Sequence, residues 1–136
     1  EAKSLAKIAS GGELARIMLS IKNVLADRDA VGTLIFDEVD TGVSGRAAQK
    51  IGQKLAQVAV QRQVIVVTHL AQVAAFAQTH LLIAKTARDN RTFTSITPLD
   101  EDARTRELAR IIGGESVSEI ALQHAHEMLE SAKNAR

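Results

Sequence analysis

Asp37 and Glu38 stand side by side directly after the apolar run Thr33-Leu34-Ile35-Phe36. A buried strand that ends in two acids delivers them to the C-terminal edge of a sheet, where α/β proteins place their ligands. One carboxylate there suits Mg²⁺, which takes hard oxygen ligands and keeps several waters. Its neighbour, if it does not bind the metal, can orient or deprotonate a water. The plainer alternative is a solvated strand end, because acids often follow strands. Asp40, three residues on, adds a third carboxylate to the same segment.

Two further groups could meet an anion. Val64-Ile65-Val66-Val67-Thr68-His69 is a second apolar strand, and His69 at its end could donate to a phosphate oxygen or hold an attacking water. A structural histidine is the competing reading. Ser10-Gly11-Gly12-Glu13 opens a helix, whose first N–H groups and positive dipole end attract anions, while two glycines let the backbone come close. Read plainly, Ser10 is an N-cap. His124 and His126, two apart on a predicted helix, point to different faces and form no chelate pair. His80 has no partner in the sequence.

The elements that must position these groups follow from periodicity. Leu14, Ile17, Met18, Ile21, Val24 and Leu25 recur at helical spacing and predict an amphipathic helix from Gly11 to about Ala26, broken by Asp27-Arg28-Asp29. A strand from Gly32 to Phe36 follows. A helix from Ser44 to about Val60 carries Ala47, Ile51, Leu55 and Val58. The second strand runs from Gln63 to Thr68, and a short Ala-rich helix from Leu70 to Phe76. Leu81-Leu82-Ile83 reads as another buried strand. Thr92 to Thr97 reads as an antiparallel strand after a turn at Asp89-Asn90, ended by Pro98. Helices over Asp102–Ile112 and Val117–Ala132, separated by Gly113-Gly114, close the chain. The last presents Val117, Ile120, Ala121, Met128 and Leu129 on one face. The β-α-β-α-β order predicts an α/β fold, mainly a parallel sheet with helical cover.

Composition narrows the classes. At 136 residues the chain fits one domain. Its apolar residues are mostly Ala, Val, Ile and Leu, the palette of helices packed on a buried parallel sheet. There is no cysteine, which excludes a disulfide framework and a Cys-type zinc site. No apolar run reaches membrane-spanning length, and Glu-Ala-Lys-Ser is not a signal peptide, so no membrane partner and a cytoplasmic setting are expected. With a formal charge of +1 and interspersed signs, no basic stripe marks this segment as a nucleic-acid grip.

Taken in order, the three motif segments resemble the signature motif, Walker B strand and switch histidine of an ABC-type ATPase head. The phosphate loop G-x-x-x-x-G-K-[ST] that precedes them in such heads does not occur in the chain. The longer runs Ala9-Ser10-Gly11-Gly12-Glu13-Leu14-Ala15-Arg16, Phe36-Asp37-Glu38-Val39-Asp40-Thr41-Gly42-Val43-Ser44-Gly45 and Val67-Thr68-His69-Leu70-Ala71-Gln72-Val73-Ala74-Ala75 resemble more closely the C-terminal head segment of the RecN family. These are bacterial DNA repair proteins related to the SMC ATPases. The likeness continues through Arg106-Glu107-Leu108-Ala109-Arg110-Ile111-Ile112-Gly113-Gly114. Val39 departs from the Pro usual in transporter ATPases, and Gly42-Val43-Ser44 from the usual SMC D-loop. Ala9 and Glu13 depart from the transporter signature L-S-G-G-Q, and Ala71 stands where relatives often have Pro.

The resemblance implies one unit, residues 1–136, carrying signature, Walker B, D-loop and switch histidine of an ABC/SMC-type P-loop head. The phosphate loop and coiled coil would lie elsewhere in a longer parent. It implies ATP and Mg²⁺ as cofactors, and ATP hydrolysis between two heads in a homodimer. Asp37 would help hold Mg²⁺ through its water shell, and Glu38 would polarise the attacking water. His69 would contact the γ-phosphate and the water. Ser10, Gly11 and Gly12 would reach the γ-phosphate on the other head, so their polar groups should be accessible. Asp40 would lie in the D-loop at the interface. The N-terminal head segment of the same protein, and DNA through the full-length protein, are the other implied partners. A nucleoid-associated, cytoplasmic protein of DNA break repair and recombination is expected, with this segment inactive alone. Two rivals stand beside this reading: a head of another SMC-like or transporter ATPase, and a non-catalytic dimerisation domain of ABC-like shape.

Overall fold

A computed structural model describes residues 9–25, 30–88 and 91–135. The order is α1 (Gly11–Val24), β1 (Thr33–Phe36), α2 (Gly45–Val58), β2 (Gln63–Val66), α3 (Ala71–Ala74), β3 (Leu81–Arg88), β4 (Arg91–Pro98), α4 (Glu101–Gly113) and α5 (Glu119–Asn134). The expected end of α1 at Ala26, the break at Asp27-Arg28-Asp29 and the turn at Asp89-Asn90 lie outside the described residues.

β1 and β2 pair in parallel, with Thr33 opposite Gln63 and Phe36 opposite Val66, and α2 forms the crossover between them. Alternation gives the pair one inner face. Leu34 and Phe36 are buried, and Val64 and Val66 pack with them against Ala48, Ile51, Leu55 and Val58 of α2, Leu19 of α1 and Val73 of α3. Ile35 and Ile65 point the other way and are exposed. The expected sheet is therefore corrected in two respects. Its parallel part has two strands, and among the described residues helices cover only one of its faces.

The segment expected to hold a third buried strand forms a separate antiparallel hairpin, in which Leu81 pairs with Pro98 and Arg88 with Arg91. Leu81 and Ile83 are both more than half exposed, so the buried-strand reading of residues 81–83 does not hold. The hydrogen bonds of β3 run to β4, and no described residue places it beside β1 or β2.

A second core joins α3, α4 and α5. Leu108 and Ala109 meet Ala121, Ala125, Leu129 and Ala132, with Ala71, Ala74, Ala75 and Phe76 closing the cluster. The alanines at 121, 125 and 132 give α5 a smooth ridge on which α4 can sit closely. That ridge corrects the face expected for α5, because Ile120 lies off it and is 80% exposed. Asp100 caps α4 by accepting from Ala103 N at 2.8 Å, and Ser118 caps α5 by accepting from Ala121 N at 3.2 Å. Gly114, at φ +83°, ends α4. Gly52 on α2 admits the Phe76 ring, with which a methyl group there would collide, and so links the two cores. Among the described residues no helix is long and apolar enough to cross a membrane.

Candidate active site

Parallel pairing brings two loops to the same sheet edge. Phe36 and Val66 end the two strands opposite one another, and Val67 N donates to Phe36 O at 3.0 Å. The loop after β1 carries Asp37, Glu38 and Asp40, and the loop after β2 carries Thr68 and His69. Asp37 and Glu38 are exposed. Glu38 has φ +58°, a left-handed backbone that a residue with a Cβ adopts at a cost of about 1–2 kcal/mol. The turn this allows is closed by Thr41 N donating to Glu38 O at 3.0 Å, and Val43 N donates to Asp40 O at 3.3 Å.

Asp40 behaves differently from its neighbours. Its side chain is 2% exposed and lies inside the molecule, not on the surface where a D-loop contact to another head would be made. Oδ2 accepts from Thr68 Oγ1 at 2.5 Å and from His69 N at 3.2 Å, and His69 Nδ1 lies 3.5 Å away. Thr68 Oγ1 in turn accepts from Leu70 N at 3.1 Å. One buried carboxylate thus ties the β1 loop to the β2 loop. The His69 ring is 73% exposed beside it. The resemblance implied Asp40 in a D-loop at the interface between heads and grouped it with the nucleotide-binding residues, whereas here its polar atoms face inward.

The third group of residues arrives on α1. Ser10 is the N-cap, and its capping box is complete. Ser10 N and Oγ donate to Glu13 Oε2 at 2.8 and 2.9 Å, and Glu13 N donates back to Ser10 Oγ at 3.3 Å. These bonds, the backbone one first and then the hydroxyl, hold the Glu13 carboxyl below its usual pKa, with the Arg16 charge helping and slight desolvation opposing. Ser10 and Gly11 are exposed as the anion role requires, although the Ser10 hydroxyl is engaged by its own helix. Gly12 is buried, against the expectation for it. A methyl group there would lie 3.0 Å from both Glu38 O and Thr41 O, so the glycine exists to let α1 rest on the β1 loop.

The same contact sets the rotation of α1. Arg16 Nη1 donates to Val39 O at 3.3 Å and Thr41 O at 2.8 Å. With Gly12, Arg16 and Leu19 turned inward, the predicted apolar stripe of Leu14, Ile17, Met18, Ile21, Val24 and Leu25 faces outward and is exposed. Arg16 and Thr68 are the site residues that sequence reasoning missed. Both stand within the quoted motif runs, but a fixed spacing to Val39 or Asp40 is visible only once the loops meet.

No family model matches the chain. It is 48% identical over 134 residues to the DNA repair protein RecN of Bacillus subtilis, which covers 98% of this chain and 23% of that protein. It is 50% identical over 135 residues to RecN of Streptomyces coelicolor, covering 99% of the chain and 24% of the relative. RecN of Mycobacterium tuberculosis H37Rv is 50% identical over 133 residues, 96% of the chain and 22% of the relative. A solved structure from work on ATP-driven dimerization and DNA-stimulated activation of SMC ATPases superimposes with a TM-score of 0.56. That match covers 81% of this chain and 66% of the other at 19% identity, and so speaks for the fold. Along nearly its whole length the chain belongs with the RecN family, of whose members it spans about a quarter.

Proposed function

We propose that this chain, residues 1–136 as one unit, is the C-terminal segment of an SMC-like ATPase head, within a longer protein that hydrolyses ATP in bacterial DNA repair and recombination. The observation that carries the reading is that the loops bearing Asp37, Glu38 and His69 leave the same C-terminal edge of one parallel strand pair and are tied to each other by the bonds from Thr68 and His69 to Asp40. The RecN relatives support the class, and their names supply the DNA repair setting; a cytoplasmic, nucleoid-associated place belongs to the same proposal.

The residues fit Mg²⁺ in a limited way. Among the described residues no group of three or more His, Asp or Glu could hold a metal by itself, and Asp37 is an exposed hard-oxygen donor. That suits an ion which keeps most of its waters. When bound, Mg²⁺ neutralises charge on the phosphate oxygens. Glu38, on its left-handed turn, projects from the loop and would take a hydrogen bond from the attacking water, raising its nucleophilicity. His69 would hold the same water from the second loop. Ser10 and Gly11 would present the positive end of α1 to the nucleotide of a second head. Two such contacts related by a two-fold axis make an isologous homodimer.

The outward stripe of α1 and the bare face carrying Ile35 and Ile65 are apolar surfaces suited to the N-terminal head segment of the same polypeptide, which would also bring the phosphate loop. DNA would be reached through the full-length protein. ATP turnover by the full-length protein, with and without Glu38→Gln, tests the reading. Hydrolysis that falls by about 10²–10⁴-fold while ATP binding persists is the expected result. Unchanged turnover removes Glu38 from its role, and a full-length protein that binds no ATP favours the non-catalytic dimerisation domain.

A further inference from the structure

We infer that the outer half of the β3–β4 hairpin is a contact site for duplex DNA, at which Arg88 and Arg91 grip the phosphate backbone. The inference rests on the DNA repair reading for the identity of the polyanion, and on the hairpin alone for the place. The near-neutral charge of the whole chain conceals a local excess. Between Leu81 and Pro98 the sequence holds Lys85, Arg88 and Arg91 against one acid, Asp89. The strand register sets the two arginines directly opposite each other as the last pair of the ribbon. Cross-strand neighbours have Cβ atoms about 5 Å apart, and like charges placed there repel. Both side chains are exposed, and neither guanidinium bonds to an acid among the described residues. A phosphate held between them turns that repulsion into two attractions.

The ribbon is divided along its length. Its base carries Leu81, Ile83 and Ile96, apolar side chains that call for cover by another part of the polypeptide. From the Lys85–Thr94 pair outward it is polar apart from Ala87 and Phe93, and exposed throughout. At about 3.3 Å per residue that outer part is roughly 10 Å long, enough to reach into a groove. Alternation puts Thr86, Arg88, Arg91 and Phe93 on one face and Lys85 on the other, so cations stand on both sides of the ribbon. A two-stranded ribbon fits the major groove of duplex DNA. Guanidinium forks match phosphate oxygens two bonds at a time, and a hydroxyl such as that of Thr86 donates to them as well. Duplex DNA offers the groove and the phosphates together.

Fluorescence anisotropy of a labelled duplex oligonucleotide, titrated with full-length protein at several salt concentrations, tests this. Arg88→Gln with Arg91→Gln should weaken binding by about 10-fold or more and lower the slope of log affinity against log salt by about 2. Arg88→Lys with Arg91→Lys should keep most of the slope. Lys50→Gln with Lys54→Gln removes the same charge from the exposed side of α2 and should leave binding nearly unchanged. The glutamine pair relieves a repulsion, so its urea midpoint should not fall, and its ATP turnover without DNA should match wild type. Duplex binding unaltered in the arginine variant overturns the proposal, as does an equal loss in the lysine control. A loss confined to a single-stranded oligonucleotide overturns the duplex assignment. A wild-type protein that binds no DNA refutes the DNA reading itself, whereas absence of ATP turnover refutes the ATPase reading while DNA binding is still measured.

Discussion

Gly11 and Glu38 meet across the start of α1: a methyl group on Gly11 would lie 2.5 Å from Glu38 Oε2. The carboxylate that the proposed reaction needs therefore rests beside the helix end that would serve the neighbouring nucleotide. Only a residue without a side chain leaves that space. The relationship links the two kinds of motif physically, since a group placed at the α1 terminus and the Glu38 side chain compete for the same room.

That geometry predicts opposite outcomes for adjacent glycines. Gly11→Ala obstructs the end of a flexible side chain, which can swing away, so stability should change by less than about 1 kcal/mol. ATP turnover by the full-length protein should nevertheless fall, because Glu38 is displaced. Gly12→Ala presses on backbone oxygens of Glu38 and Thr41 at 3.0 Å, where the loop itself must move. It should cost about 1–3 kcal/mol, the range for overpacking. Urea denaturation of the two variants separates them, and equal stability losses would contradict the contact geometry.

Arg104 carries a prediction about what holds α3 in place behind His69. Its Nη2 donates to Ala74 O at 3.2 Å, Ala75 O at 2.9 Å and Ala77 O at 2.6 Å, from a side chain that is buried on α4. Arg104→Met keeps much of the apolar stem but leaves those carbonyls without the cation. The expected loss is about 2–4 kcal/mol, larger than for an ordinary hydrogen bond because the donor is charged and several acceptors depend on it. Denaturation midpoints measure it. A loss under 1 kcal/mol would mean that other donors replace the guanidinium.

These cases show which features the residues announce and which they do not. β1 and β2 were legible because apolar runs flanked by polar residues leave few alternatives, and α4 and α5 because Gly113-Gly114 separates two helical patterns, although their N-caps, Asp100 and Ser118, emerge only in the structure. The convergence of Asp37, Glu38 and His69 on one edge followed from parallel order alone. The rotation of α1 was hidden, because Gly12 and Arg16 bind a loop more than twenty residues away and override the apolar stripe. The resemblance places Asp40 in a D-loop at an interface, and nothing in its spacing announces that it is buried. Its burial depends on Thr68 and His69 arriving from another strand. The antiparallel strand expected over Thr92–Thr97 is present as β4, but the burial of Leu81-Leu82-Ile83 was misjudged, since apolar spelling does not say which neighbours are present to cover a strand.

His80 provides the last prediction, a pH dependence of stability. It is half-buried, and its Nδ1 has no hydrogen-bond partner among the described residues. Desolvation lowers its pKa from the ordinary 6.5, the Arg104 charge lowers it further, and Glu107 opposes them. The folded chain therefore binds this proton less readily than the unfolded one. Above pH 6.5 the ring is neutral in both states and the full stability is present. As pH falls below 6.5 toward the depressed folded value, the unfolded state takes up the proton first and stability is lost. His80→Gln removes the titrating group, so its urea midpoint should drop less between pH 8 and pH 5.5 than that of wild type. Glu107 is held in a two-pronged pair by Arg110, at 2.8 Å from Nε and 2.7 Å from Nη2, which limits how far it can turn to shield a charged His80. A wild-type midpoint no more acid-sensitive than that of His80→Gln would show that the ring is solvated in the folded chain.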